Sequence, residues 1–347
     1  MNKRIRWGVL GSGGIARRRT IPEGLVPATN AQLVAVYDLD PKANEQAARA
    51  FKAHAAGSVD ELLHSGVDAV YVATPPRAHR AQTIACARAG KHVLCEKPLG
   101  LTVPEAEAML AACQDAGVLL GTAFMMRFHA QHQAALRLIR EGRLGQPVFA
   151  RAQLSCWYPP LPGAWRQDPA TGGGGSLMDM GGHCLDLLEM FFGPVRAVSC
   201  ITNRTVHGYA SEDSAVATLF FANGALGVVD AFFCIPDGSS QNVLELYGSA
   251  GSILAKGTIG QAAQGEMLAY LKEGAWGYDA QQARAAGAGV PINPAPVNTY
   301  RAEIEEFSQA ILEGRAPSNN AALGLQSQKV LAACYASART GQAVELS

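Results

Sequence analysis

Short apolar runs alternate with amphipathic stretches through the first third of the chain. Residues 5–10, 32–37, 69–73, 92–95 and 118–124 are strand-like. Between them, 43–54, 58–65, 78–89 and 104–116 carry apolar positions at helical spacing, and Gly90 stops one of these helices. Strands separated by helices predict a doubly wound parallel sheet, with ligands beyond the carboxyl ends of the strands. After residue 125 the pattern changes. A helix over 131–141 leads to an alternating strand at 148–157, then to a loop at 158–175 rich in proline, glycine and aromatics. A helix over 176–193 follows, entered through glycines and stopped by Gly193-Pro194. Residues 197–205, 214–222, 224–233 and 241–248 are successive strands, with Asn223-Gly224 as a hairpin signal. Such clustering marks an antiparallel sheet. Residues 274–298, rich in Gly, Ala and Pro, are assigned to a loop, and two amphipathic helices, 300–313 and 321–339, follow. The expected division is a nucleotide-binding domain over 1–125 and a substrate-binding α/β domain over 126–347.

Composition narrows the function. In 347 residues, 29 Lys+Arg balance 29 Asp+Glu, so neither nucleic acid nor a membrane surface is an expected partner. The run Arg17-Arg18-Arg19 is assigned to a solvated helix face. Eight cysteines lie scattered without a C-x-x-C pair, which fits reduced thiols in a cytoplasmic protein. The N-terminal basic and apolar residues imitate a signal peptide, but the apolar part is short and runs into glycines and arginines. The expectation is a soluble chain.

The candidate chemistry begins at Gly11-Ser-Gly13-Gly14-Ile15-Ala16, a G-x-G-x-x-A that follows a strand and opens a helix. Its glycines permit a tight turn and close approach of a pyrophosphate, and the helix N-terminus offers free N–H groups. Asp38, at the end of the second strand, can accept hydrogen bonds from the adenosine ribose. It would repel a 2′-phosphate, so NAD is favoured and NADP is left open. Thr74, Pro75, Glu96, Lys97 and Arg127 stand at or just past strand ends, and His79 follows closely, so all are assigned to the cofactor site. Lys97, at the mouth of the sheet, can orient a hydroxyl. On the helix over 176–193, Ser176 is a candidate cap. Asp179, His183 and Asp186 are spaced to share one face, and Leu185, Leu188 and Phe192 fall on a core face. A carboxylate one turn before a histidine favours the imidazolium. Trp165 and Arg166 either wall a substrate pocket or pack against the first domain; Tyr300 either faces that pocket or packs the start of its helix. His129 and His132 imitate a metal pair, but no third ligand stands at a convincing spacing, so no metal is expected.

With ATPPRAH, CEKPLG, GGGSLMDMGGHCLDLL and the tail Tyr300-R-A-E-I-E-E-Phe307 in this order, the chain resembles the glucose-fructose oxidoreductase / inositol dehydrogenase / rhizopine-catabolism (Gfo/Idh/MocA) family over nearly its whole length. The resemblance implies an NAD(P)-binding Rossmann domain followed by an α/β domain. That second domain carries a large, mostly antiparallel open sheet, which would make a dimer or tetramer interface. It places Lys97, Asp179 and His183 around a reacting carbinol as the catalytic residues, with a cis Lys97–Pro98 bond. It also implies sugars, inositols or related polyols as substrates. The expected activity is a dehydrogenase acting on CH–OH groups. An NAD-dependent glycosidase working by transient oxidation and a catalytically silent NAD-binding regulator stand as alternatives.

Overall fold

The alternation of the first third resolves into a parallel sheet in the computed structural model, which describes residues 3–272, 280 and 287–346. Its strands are β1 (Ile5–Leu10), β2 (Ala31–Tyr37), β3 (His54–Ala55), β4 (Ala69–Val72), β5 (His92–Glu96) and β6 (Leu120–Ala123). They are arranged β3-β2-β1-β4-β5-β6, and every pairing is parallel. The order runs outward in both directions from β1, so the carboxyl ends of β1 and β4 form the switch point where such sheets receive ligands. All four residues of β4 are buried, as expected of a strand covered on both faces. Helices α1 (Pro41–Phe51), α2 (Val59–His64), α3 (Pro76–Arg88) and α4 (Val103–Asp115) connect the strands. Their starts follow local chemistry. Asp40, Ser58 and Thr102 accept from the backbone N–H of Lys42, Glu61 and Glu105, and Lys52 ends α1 in a left-handed conformation. The helix after the glycine turn, Ala16–Leu25, is π-helical and contains Pro22, which has no N–H to give the ladder.

The second layer begins with α5 (Ala130–Arg140) and β7 (Pro147–Ser155), followed by the short α6 (Pro169–Gly172), α7 (Gly182–Phe192), β8 (Val195–Asn203), β9 (Ser214–Phe221) and β10 (Leu226–Phe232). Three further strands, β11 (Val243–Gly248), β12 (Gly251–Lys256) and β13 (Glu266–Leu271), extend it. The strand β14 (Val290–Pro291) pairs with β13. Part of the expected loop at 274–298 is therefore strand; residues 273–279 and 281–286 lie outside the described residues. With β15 (Val344–Glu345) the described strands form a nine-stranded sheet in which β7 and β10 pair in parallel and the other pairings are antiparallel. The Asn223-Gly224 hairpin joins β9 to β10, with Gly224 at φ 91°. Along β9 burial alternates residue by residue: one face packs on α7 and joins a continuous core, and the other is open.

The two sheets are tied together by the last helices, α8 (Thr299–Glu313) and α9 (Ala321–Thr340). Phe307 of α8 packs 5.7 Å from Trp7 of β1, and the Trp7 indole N–H donates to Ser308 Oγ at 3.0 Å. On α9, a Cβ at Gly324 would collide with the side chain of Thr122, at the end of β6. Asn319, just before α9, donates to the Thr122 carbonyl at 3.1 Å. The carboxyl-terminal helices thus fix the first sheet against the second layer.

Candidate active site

Lys97 follows β5 directly, and its bond to Pro98 is cis. Its ammonium leaves the first sheet and meets the second layer at Asp179, donating to Oδ1 at 2.6 Å and to the Asp179 carbonyl at 2.7 Å. Arg166 donates from Nε to the other carboxylate oxygen at 2.8 Å, with its guanidinium 4.1 Å from the centre of the Trp165 ring. One carboxylate thus serves two cations. Burial alone would push Asp179 up; the charges of Arg166 and Lys97 outweigh it and hold the group well below the usual carboxylate range. His183 lies one turn on, edge-on to Phe124, and its buried Nδ1 has no partner. Burial and then Lys97 drive its pKa well below 6.5, against the pull of Asp179. The imidazolium expected from the Asp179–His183 spacing is therefore corrected to a neutral ring: desolvation and a nearby ammonium outweigh the carboxylate.

These groups line one cleft of about 560 Å³ between the sheets, together with Glu96, Trp165, Arg166 and Tyr300. The polypeptide carries Asp179 there by an unusual route. Ser176 does not cap its helix: its hydroxyl is buried without a partner and its backbone is already helical. Glu212 takes over that role, accepting the N–H of Gly175 at 2.8 Å and of Leu177 at 3.1 Å. The segment Leu177–Gly181, which carries Asp179, is π-helical and continues into α7. The glycines before it answer close packing. A Cβ at Gly174 would strike the Tyr335 hydroxyl, and one at Gly175 the Glu212 carbonyl.

The glycine turn after β1 suits a dinucleotide. Gly11 has φ 84°, and a Cβ there would sit 2.8 Å from the Ala73–Thr74 backbone; Gly14, at φ 44°, has nothing within 4 Å of its would-be Cβ. The turn is thus pinned on one side and open on the other. Asp38 accepts the Gly13 N–H at 2.9 Å through Oδ2 and the Asp40 N–H at 3.0 Å through Oδ1, which fixes its carboxylate beside the turn. Ile15 and Thr74 line the cleft, while Pro75 lines a neighbouring depression beside Trp165.

Two expected cofactor residues are braces and do not line the cleft. His79 is fully buried, with Nδ1 2.9 Å from the Pro98 carbonyl and Nε2 2.7 Å from that of Thr74, so it ties the β4 end to the Lys97 turn. Arg127 is held by Asp186, with Nε 2.8 Å from each carboxylate oxygen, and joins the turn after β6 to α7. The His129 and His132 rings are tilted 37° to each other with centres 4.6 Å apart, and His132 Nδ1 lies 2.9 Å from the Met126 carbonyl. Arg18, assigned to a solvated face, lines the cleft, as do Met126, Ser155, Cys156, Asp237 and Gln261. Arg19 bridges Glu23 at 2.6 Å and Gln261 at 3.1 Å. Ser155, Cys156 and Gln261 come from strand ends and a loop with no local motif, so only the fold brings them together.

Comparison with known proteins finds matches to both halves of the chain. Residues 5–124 match the oxidoreductase family with an NAD-binding Rossmann fold, and residues 132–254 match the GFO/IDH/MocA C-terminal domain. The chain is 33% identical to 1,5-anhydro-D-fructose reductase of Ensifer adhaerens, covering 98% of both chains. It is 31% identical to D-xylose 1-dehydrogenase (NADP(+)) 2 of Haloferax volcanii, covering 99% of this chain and 100% of that one. Among solved structures, aldose-aldose oxidoreductase from Caulobacter crescentus, complexed with glycerol, superposes with a TM-score of 0.88 at 29% identity, covering 99% and 100% of the two chains. Levoglucosan dehydrogenase complexed with NADH and levoglucosan superposes with a TM-score of 0.85 at 25% identity over 99% of each chain.

Proposed function

The chain belongs to the GFO/IDH/MocA family of oxidoreductases, and from that premise we propose that it is an NAD(P)-dependent sugar dehydrogenase or reductase acting on a carbinol of a sugar or related polyol. The observation that carries this reading is the meeting of Lys97 from the first sheet with Asp179 and His183 from the second layer in one cleft. The bound nicotinamide supplies the hydride acceptor or donor. Gly11, Gly13, Gly14 and Ile15 would hold its pyrophosphate, Asp38 would take the adenosine ribose, and Thr74, Pro75 and Glu96 would border the rest. In oxidation, neutral His183 takes the hydroxyl proton of the substrate while the Lys97 ammonium donates a hydrogen bond to the same oxygen. In reduction the same groups work in reverse. Asp179 keeps Lys97 and Arg166 in place, and Trp165, Arg166 and Tyr300 border the polyol.

The relatives named above are reductases and dehydrogenases, which favours net redox chemistry over a glycosidase or a silent regulator. The deciding experiment is a screen of sugars, polyols and glycosides with NAD and with NADP, followed by NADH or NADPH absorbance. Sugar release without net reduced cofactor would identify the glycosidase, and binding without turnover the regulator. A second part of the proposal concerns assembly. On the open face of the large sheet, Ile201 faces Val216 and Phe220 faces Leu226 across strands, all four exposed. This apolar face supports pairing with a second copy of the chain, as a dimer or tetramer. Among the described residues no helix is long and apolar enough to cross a membrane, and all eight cysteines are free, which supports work in the cytoplasm.

A further inference from the structure

The carboxylates that line the cleft differ in how they are held. Asp179 is shared by Lys97 and Arg166, so its charge is already answered by two cations. Of the other two carboxylates that line the cleft, Asp237 and Glu96, it is Glu96 that adjoins Lys97. Its carboxyl is held from behind. Oε1 accepts the hydroxyl of Tyr71, a fully buried residue of β4, and Oε2 accepts the Lys97 N–H at 3.2 Å. The Tyr71 oxygen in turn accepts from Thr20 Oγ1 at 3.0 Å. Tyr71 reaches no part of the cleft itself.

From this relay we propose that Tyr71 is a positioning residue that keeps Glu96 ionised, and that Glu96 thereby makes the site prefer oxidised over reduced nicotinamide. The proposal rests on the dinucleotide reading given above. The physical reason is that a buried carboxylate persists only when donors satisfy it, and a neutral dihydropyridine ring gains nothing from its charge. The charged and titratable groups facing Glu96 are Lys97 after β5, Arg166 from the loop before α6, Tyr71 from β4, and Tyr300 and Glu303 from α8. Burial raises Glu96, while Lys97, Tyr71 and Arg166 lower it; Glu303, itself raised by burial and by Glu96, opposes ionisation. The carboxyl therefore takes up its proton above the usual range, and loss of the Tyr71 hydroxyl moves that point higher still.

The test is binding of NAD and of NADH to the whole protein, by titration calorimetry or fluorescence, from about pH 5.5 to 9. Wild type is expected to lose NAD affinity as pH falls through the Glu96 titration, with a limiting slope of about tenfold per pH unit, while NADH affinity stays level. Tyr71→Phe shifts this fall to higher pH, so that at pH near 7 NAD binds about tenfold more weakly and NADH within about twofold of wild type. Thr20→Val, one bond further away, shifts it in the same direction by less, and it decides the matter should Tyr71→Phe not fold. Glu96→Gln abolishes the pH dependence. Equal changes for both dinucleotides, or an unshifted NAD profile in the variants, would overturn the proposal. Failure of wild type to bind either dinucleotide would instead bring down the cofactor reading beneath it.

Discussion

Lys97 Nζ and Asp179 Oδ1 stand 2.6 Å apart, with side chains only 9% and 14% exposed, and this ion pair bridges the two sheets at the cleft. Removing the carboxylate leaves Lys97, 9% exposed, and Arg166, 29% exposed, without their shared partner. Asp179→Ala is expected to lower stability by about 3–5 kcal/mol and to abolish turnover. Lys97→Ala leaves Asp179 paired with Arg166, so it should cost less stability while still lowering kcat by about 10²–10³-fold. Denaturation midpoints set beside kcat separate the two effects. Near-normal turnover by Lys97→Ala would remove Lys97 from the chemistry.

His183 gives a pH prediction with a definite sign. Its pKa in the folded protein lies well below 6.5, first through burial and then through Lys97. As pH falls below about 6.5, the unfolded chain takes up a proton that the folded chain refuses, so this residue erodes stability toward acid and not toward base. NMR titration of the His183 ring should find it neutral at pH 6. In Lys97→Met its midpoint should rise, because one of the three forces holding it down, burial, Lys97 and Arg166, is gone. An unperturbed midpoint near 6.5 in wild type would contradict the neutral base.

Much of this site was legible in the sequence, and what escaped follows a pattern. The glycine turn, Asp38, Lys97, Asp179 and His183 each lie on local motifs whose spacing has a chemical reason. His79 and Arg127 also follow strand ends, yet backbone carbonyls and Asp186 claim them, and no local pattern reports such distant partners. The π-helical turn at Asp179 was hidden because apolar spacing reports a helix without its pitch, and Ser176 resembled a cap because Glu212 lies far along the chain. The strands β12 and β13 were not assigned at all. Packing of α8 on β1 is a meeting of chain ends that periodicity does not encode.

Cofactor choice is expected to turn on Asp38 and its neighbour. Leu39 is 83% exposed beyond the end of β2, and Asp38 is fixed beside the glycine turn. Wild type should favour NAD because the carboxylate repels a 2′-phosphate. Asp38→Ser with Leu39→Arg removes that repulsion and supplies a forked donor, and should raise the NADP-to-NAD ratio of kcat/KM by about tenfold or more. A wild type with higher kcat/KM for NADP would overturn the role given to Asp38.

The open sheet face makes its own prediction. Val216→Lys combined with Phe220→Glu places charges on two exposed positions of β9 without touching the alternating core positions between them. Light scattering should report a smaller particle than wild type, with unchanged far-ultraviolet circular dichroism. A monomeric wild type, or a double variant of unaltered mass, would show that copies do not pair through this face.

The glycine run ahead of Asp179 allows a test of positioning apart from chemistry. At Gly175 an added methyl meets the Glu212 carbonyl oxygen, the same residue whose carboxylate holds the N–H groups of Gly175 and Leu177. Neither partner can retreat without releasing the turn that presents Asp179. Gly175→Ala should therefore shift the carboxylate away from Lys97 and lower kcat by tenfold or more, with a stability loss of about 1–3 kcal/mol from overpacking. Gly193→Ala, at φ 86° but with open space around it, serves as the control: backbone strain there should cost stability with kcat close to wild type. If both substitutions reduce kcat equally, the effect is general destabilisation, and Glu212 has no special hold on the Asp179 carboxylate.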